Sequence, residues 1–272
     1  MTIKKDIKNT DFEYNNPVSV NQIIATIQGE GVSLGQPSLL LRTNYCNLKC
    51  PFCDSKYTWD NKEQEIINSQ EDIDDLLTSV YKKSNNFKYK NLLLTGGEPT
   101  LYFNNNHYKN LILNILLRFN TIKQIDIESN GLFNPYDISN FLNKINEFKY
   151  KITNLTISPK IDYKQVYTNI ENLRSLQPTG KVNINIKLIN FMDDEIDDIL
   201  NYPEFKTLRN EYNIPFYLMP LTPSLDRPNF INEYINNCKK TINKCLETGI
   251  RYSPREHVWV YKQDINESGN LI

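Results

Sequence analysis

Three cysteines fall within eight residues, in the run Cys46-Asn-Leu-Lys-Cys50-Pro-Phe-Cys53. Cysteine thiolates ligate iron–sulfur clusters, and a C-x3-C-x2-C loop is short enough to wrap one face of a [4Fe–4S] cube and close three of its irons. The fourth iron is left without a protein ligand nearby in sequence, and an open metal position is the mark of a site that binds a reactant. Zinc would want four Cys or His ligands in paired spacings, but the only histidines, His107 and His257, lie far from the loop. A disulfide framework suits neither five cysteines, an odd count, nor a start, Met-Thr-Ile-Lys-Lys-Asp-Ile, that lacks an apolar signal core. The other two, Cys238 and Cys245, sit seven apart on an expected helix, share its face, and read as buried structural thiols.

The elements that must position this loop can be read from apolar periodicity. Strands are expected at Gln22–Ile27, Ser38–Arg42, Asn91–Leu94, Gln124–Glu128, Asn154–Ile157, Val182–Ile189 and Pro215–Met219. Helices are expected at Glu71–Lys83, Tyr108–Phe119, Pro135–Glu147, Asp193–Asn201 and Asn229–Thr248, with Ser69 followed by Asp72, and Asp137, as start signals. Such alternation implies an α/β fold of parallel βα units, and their number suits a barrel or partial barrel. Four strand ends carry Gly, Pro and small polar residues: Thr95-Gly96-Gly97-Glu98-Pro99, Ser129-Asn130-Gly131, Ser158-Pro159-Lys160 and Pro220-Leu221-Thr222. In a βα barrel these ends form one rim, from which several loops supply a site together. Residues 1–20, largely polar, are expected as a loose arm, and 21–272 as a single domain.

Bulk properties narrow the partners. With 31 Lys plus Arg against 32 Asp plus Glu, the net charge of −1 offers no global field for nucleic acid or an anionic membrane, so a small substrate is expected. Hydrophobic residues make up 39% of the chain, enough for a folded domain despite its many asparagines and lysines, and no apolar run approaches a membrane span. A reducing, cytoplasmic compartment is expected, which also suits an oxygen-sensitive cluster.

The three-cysteine loop after one strand and Gly96-Gly97-Glu98-Pro99 after the next resemble the radical S-adenosylmethionine (SAM) superfamily. The resemblance implies a partial (β/α) barrel with the cluster loop at the carboxyl rim of the strands. It also implies a [4Fe–4S] cluster whose open iron is chelated by S-adenosylmethionine, and reductive cleavage of that cofactor to a 5′-deoxyadenosyl radical. Gly96 and Gly97 would let the backbone approach this ligand, Glu98 would offer acceptors to its ammonium group, and Phe52 would lie near its adenine. Within the superfamily the chain is most similar to the 7-carboxy-7-deazaguanine synthases of the queuosine pathway. The similarity is carried by Thr26-Ile-Gln-Gly-Glu-Gly31, Gly35-Gln-Pro-Ser38, Arg42, Cys53-Asp-Ser-Lys-Tyr-Thr-Trp59, Glu128-Ser-Asn-Gly131, Ile157-Ser-Pro-Lys160 and Ile214-Pro-Phe-Tyr-Leu218.

What that resemblance implies is a lyase converting 6-carboxy-5,6,7,8-tetrahydropterin to 7-carboxy-7-deazaguanine and ammonia, its radical drawn from the cofactor and not from a side chain. Ile27, Gln28, Gly29, Glu30 and Thr95 would contact the pterin, and Arg42 would pair with its carboxylate through a planar fork. Ser55 would be an oxygen ligand of Mg2+. Gly97, Ser129, Ser158, Pro159 and Lys160 would line the S-adenosylmethionine site. A reductant protein such as flavodoxin or ferredoxin and a homodimer are the implied partners. A glycyl-radical activating protein shares the compact cysteine spacing but has no use for Gln28–Gly31 or Ser55. A closed-cluster or zinc module would need Cys238 or Cys245 as fourth ligand. After Leu221 the similarity fades, and His257, in the C-terminal stretch 251–272, is left open between a place near the substrate and a packed or surface one, the latter preferred.

Overall fold

The computed structural model describes residues 3–5, 15–59, 65–84, 87–146, 152–178, 181–190, 193–223 and 228–260. Its strands are β1 (Lys4–Lys5), β2 (Val18–Ile27), β3 (Pro37–Thr43), β4 (Leu48–Lys49), β5 (Glu65–Ile67), β6 (Asn91–Gly96), β7 (Gln124–Ser129), β8 (Ile152–Ile157), β9 (Lys181–Asn190), β10 (Phe216–Pro220) and β11 (Arg251–Tyr252). Nine of them form one sheet in the order β11-β10-β9-β8-β7-β6-β3-β2-β5. From β3 to β11 every pairing is parallel, while β2 runs antiparallel to both β3 and β5. Successive parallel strands lie side by side in chain order and the two edges, β11 and β5, do not meet, so the sheet is an open, partial barrel.

The helices are α1 (Gln70–Ser84), α2 (Asn106–Arg118), α3 (Pro135–Asn146), α4 (Tyr163–Leu176), α5 (Asp193–Asn201), α6 (Pro203–Lys206), α7 (Phe230–Thr248) and α8 (Glu256–Val260). Period-2 alternation sorts each strand between this helical layer and the barrel interior. Leu39 and Leu41, Leu92 and Leu94, Ile125 and Ile127, Leu155 and Ile157, and Ile186 and Leu188 all enter the core shared with the helices. The residues between them face inward: Leu40, Arg42, Leu93, Thr95, Glu128, Lys187 and Ile189 line a cavity at the upper, carboxyl ends of the strands. Lower down, the interior is closed by neutral amides around a single acid. Asp126, 2% exposed, accepts from Asn91 Nδ2 at 2.9 Å, Asn154 Nδ2 at 2.8 Å and Gln124 Nε2 at 3.0 Å.

All seven expected strands and five expected helices are present, most with ends moved by one to three residues. The sheet, however, already starts at Val18, inside the stretch expected as a loose arm. Val18 and Val20 are buried against Ile67 and α1, and Lys4–Lys5 pairs antiparallel with Leu48–Lys49 beside the cysteine loop. Cys238 and Cys245 are both buried on α7, as read from the sequence.

Candidate active site

The cysteine loop leaves the end of β3 through Asn44 and Tyr45 and is anchored on both sides. Buried Asn44 donates from Nδ2 to Ser19 Oγ at 2.9 Å, and Tyr45 N donates to Thr58 O at 3.0 Å. The end of β6 is pressed against the same segment, with Gly97 N donating to Thr43 O (3.0 Å) and Glu98 N to Tyr45 O (2.8 Å). Gly96 has φ +138°, and a Cβ on it would overlap Thr43 O; a Cβ on Gly97 would overlap Tyr45 O. These glycines thus permit a close approach between β6 and the entry to the loop, and both also line the cavity. Glu98, 1% exposed, is committed as well: Oε1 accepts from Thr100 Oγ1 (2.6 Å) and N (3.3 Å), and Oε2 from Asn130 N (2.7 Å). It ties the ends of β6 and β7 together, and it also lines the cavity.

The sulfurs receive backbone donors. Leu48 N donates to Cys46 Sγ at 3.4 Å, the Ser55 N–H donates to Cys53, and Asn130 Nδ2 lies 3.9 Å from Cys46 Sγ. Burial pushes the Cys53 thiol up to about 12, reinforced by Asp54, and raises Cys46 and Cys50 in the same direction. Without a metal these are neutral thiols at pH 7, and a cationic iron group displaces their protons as it binds. Among the described residues no three Cys, His, Asp or Glu groups converge closely enough to hold one ion.

All three cysteines open into the cavity at the rim. Every other residue expected to bind cofactor, metal or substrate also lines it except Pro159, which is buried between Ser158 and Lys160. Lys160 stands beside Cys50, its Nζ 6.0 Å from the centre of the Phe52 ring, and burial draws its amine down to about 8. Arg42, paired with Thr95 across β3 and β6, donates from Nε to Gln22 Oε1 (3.3 Å) and from Nη1 to Ser55 Oγ (3.4 Å), its guanidinium 5.7 Å from the Tyr57 ring centre. Gln28 is buried and donates from Nε2 to Glu128 Oε1 at 3.3 Å.

Several lining residues were not foreseen as parts of the site. Lys187, 2% exposed on β9, pairs with Glu128 (2.6 Å) and Glu30 (2.9 Å). Burial opposes ionisation of Glu30, but Lys187, Arg255 and His257 hold its carboxyl down at about 2. For Glu128 burial outweighs the pull of Lys187, and Glu30 and Asp126 add to it, so its pKa is raised. The C-terminal segment completes the wall. Gly31 N donates to Ser253 Oγ (2.8 Å), Glu256 N to Gly29 O (2.9 Å) and Ser253 N to Leu218 O (2.8 Å). This docking brings Arg255 and His257 into the cavity, where a Cβ on Gly29 would strike the His257 ring. His257, expected rather as packed or at the surface, is a cavity residue whose imidazole is lowered to about 4 by burial and by Arg255. Lys187 had a usable signal, a lone Lys at an inward position of a predicted strand. Arg255 and His257 had none, because they lie where the similarity fades.

Residues 40–202 match the model of the Radical SAM superfamily. The chain belongs to that superfamily. Its radical SAM domain accounts for the order of parallel strands and for the three-cysteine loop at their carboxyl rim, and its cofactors are a [4Fe–4S] cluster and S-adenosylmethionine. Among curated proteins it is 26% identical over 227 residues to the 7-carboxy-7-deazaguanine synthase of Bacillus cereus, covering 81% of this chain and 84% of that protein. It is 22% identical over 248 residues to the 7-carboxy-7-deazaguanine synthase of Pyrobaculum aerophilum, covering 90% of this chain and 95% of that one. The crystal structure of QueE from Escherichia coli superposes with a TM-score of 0.54 at 19% identity, covering 93% of this chain and all of that one, a likeness of fold. Among the described residues of this radical SAM enzyme, no helix is long and apolar enough to cross a membrane.

Proposed function

We propose that the protein is a 7-carboxy-7-deazaguanine synthase, converting 6-carboxy-5,6,7,8-tetrahydropterin to 7-carboxy-7-deazaguanine and ammonia. The observation that carries this reading is the pairing of Arg42 with Ser55 at 3.4 Å inside the cysteine-lined cavity. A guanidinium with no carboxylate opposite it among the described residues, beside a neutral hydroxyl oxygen, suits a substrate carboxylate that is also held by a hard divalent cation. The relatives' shared name supports the same substrate.

Cys46, Cys50 and Cys53 would hold the cluster, which with S-adenosylmethionine supplies, when bound, the 5′-deoxyadenosyl radical that opens the reaction at C6. The chain's own residues bind and orient. Lys160, Ser158, Ser129 and Gly97 would face the cofactor, with Phe52 near its adenine. Ile27, Gln28, Gly29, Glu30 and Thr95 would line the pterin. Ser55 would offer its oxygen to Mg2+, whose charge orients the substrate carboxylate as a template. Substrate and products balance without net oxidation, so the external electron is needed only to prime the cluster. A flavodoxin or ferredoxin is the proposed donor, and a homodimer the proposed assembly.

An anaerobic assay of reconstituted protein with dithionite, S-adenosylmethionine, Mg2+ and labelled tetrahydropterin tests the reading. Deazapurine and stoichiometric ammonia are expected. Cleavage of S-adenosylmethionine with no deazapurine would leave a radical SAM enzyme of another specificity.

A further inference from the structure

The hydroxyl of Ser55 is held by a buried relay that runs to the far end of the chain. Ser55 Oγ donates to Asp54 Oδ1 at 3.0 Å, and Asp54 Oδ2 accepts from Arg255 Nη2 at 2.5 Å. Arg255 Nη1 donates to Thr222 Oγ1 at the end of β10, and Nη2 also lies 3.3 Å from His257 Nε2 and 3.8 Å from Glu30 Oε1. With Arg255 only 7% exposed, and its segment fastened to Gly29, Gly31 and Leu218, this guanidinium has no freedom to follow Asp54. Asp54 must follow it.

A serine hydroxyl has one proton and two lone pairs, and it rotates to suit its strongest partner. Two groups bond the hydroxyl from the side away from Arg42, the Asp54 carboxylate and the Tyr57 phenol, and the proton goes to the charged acceptor, Asp54. The lone pairs are thereby turned away from Asp54, toward Arg42 Nη1 and the cavity. Loss of a partner that fixes a ligand's orientation from behind typically costs about ten- to a hundredfold in metal affinity. We propose that Arg255 is a positioning residue which, through Asp54, fixes the Ser55 oxygen as a neutral ligand for the divalent cation bound with the substrate. The inference rests on the reading of the site given above, and it assigns to the C-terminal segment a task in the chemistry of the cysteine loop, from which it is separated by some 200 residues.

Mn2+, visible by electron paramagnetic resonance, can stand in for Mg2+ and be titrated anaerobically into cluster-loaded protein with the tetrahydropterin bound. Arg255→Gln should raise the Mn2+ dissociation constant by about ten- to a hundredfold, the range for loss of an outer partner. Iron content per chain and the cofactor-induced change in the reduced cluster's spectrum should stay as in the wild type, which a general collapse of the site would not allow. Arg255→Lys, which keeps the charge on Asp54 without the fork, should recover part of the affinity, and Thr222→Val should weaken it a few-fold. Wild-type Mn2+ affinity in iron-replete Arg255→Gln overturns the inference. Should that variant lose its iron, wild-type affinity in both Arg255→Lys and Thr222→Val overturns it equally. If the wild type itself binds no Mn2+ beside the pterin and forms no deazapurine, it is the proposed function that fails, a result distinguishable from the others.

Discussion

Four cations reach the cavity, and what separates them is the company they keep. Lys187 faces Glu30 and Glu128, and Arg255 faces Asp54, so both are spoken for within the chain. Among the described residues, Arg42 and Lys160 have no carboxylate opposite them, and each is set against an aromatic ring. They are the positions at which an incoming carboxylate gains most. A charge-assisted hydrogen bond contributes about 1.5–3 kcal/mol, so Arg42→Ala should weaken the apparent affinity for the tetrahydropterin by roughly ten- to a hundredfold. Arg42→Lys should fall between, having charge without a fork. Steady-state KM under anaerobic conditions checks this, with iron content as control. Gly97 makes a different prediction, because the Cβ of an alanine there would collide with Tyr45 O and push the entry of the cysteine loop away from β6. Gly97→Ala should therefore lower iron incorporated per chain, while Cys238→Ala and Cys245→Ala on α7 should leave it unchanged. An iron assay after reconstitution reads all three.

Elements carry their own predictions. Asn105 caps α2 by accepting from Tyr108 N at 3.1 Å, and its Nδ2 donates to Asn16 O at 2.7 Å, tying the helix to the chain just before β2. Both bonds vanish in Asn105→Ala, at a cost of about 1–2 kcal/mol for a lost cap, which should appear as a lower Tm. The strands were legible because inward and outward residues alternate, and five helices were legible because apolar spacing and end signals agree. The pair at the start of α1 is one such signal, Ser69 Oγ donating to Asp72 Oδ2 at 2.8 Å and accepting from Asp72 N at 3.1 Å. Helix α4 escaped although Tyr163, Val166, Ile170 and Leu173 keep a helical period, because its ends lack those marks. Asp162 enters it at φ +55° with no side-chain cap, and Gln177, in place of a glycine, closes it at φ +44°. The paired glycines of β6 were legible as a motif, but their partner was not: nothing local shows that Thr43 and Tyr45 lie across from them.

At the scale of the molecule, the site is assembled from segments that only the folded sheet brings together. Cys46–Ser55 come from the loop after β3, Glu128 from β7, Lys187 from β9, and Arg255 and His257 from beyond β11. The motif residues among these could be read locally. The last two could not, since their roles follow from docking on Gly29 and Gly31, a contact spanning more than 220 positions. That docking has a consequence for acid stability. The imidazole of His257 takes a proton near 6.5 in the unfolded chain but only near 4 in the folded one, so between these values the unfolded state binds more protons. Folding therefore loses stability as pH falls through this window, by on the order of 3 kcal/mol at its lower end. The Glu30 carboxyl, held at about 2 against 4.5 when free, adds a loss of the same sign below about 4.5 as the pairing with Lys187 and Arg255 is titrated away. The raised Glu128 carboxyl works in the opposite sense, so the imidazole's share is read by difference: urea midpoints measured anaerobically should fall more between about pH 6.5 and 5 in the wild type than in His257→Gln, which has nothing to titrate there. If the wild-type and variant midpoints fell in parallel across that window, the imidazole would have to be open to solvent, and the C-terminal segment would not be seated on the cavity as described.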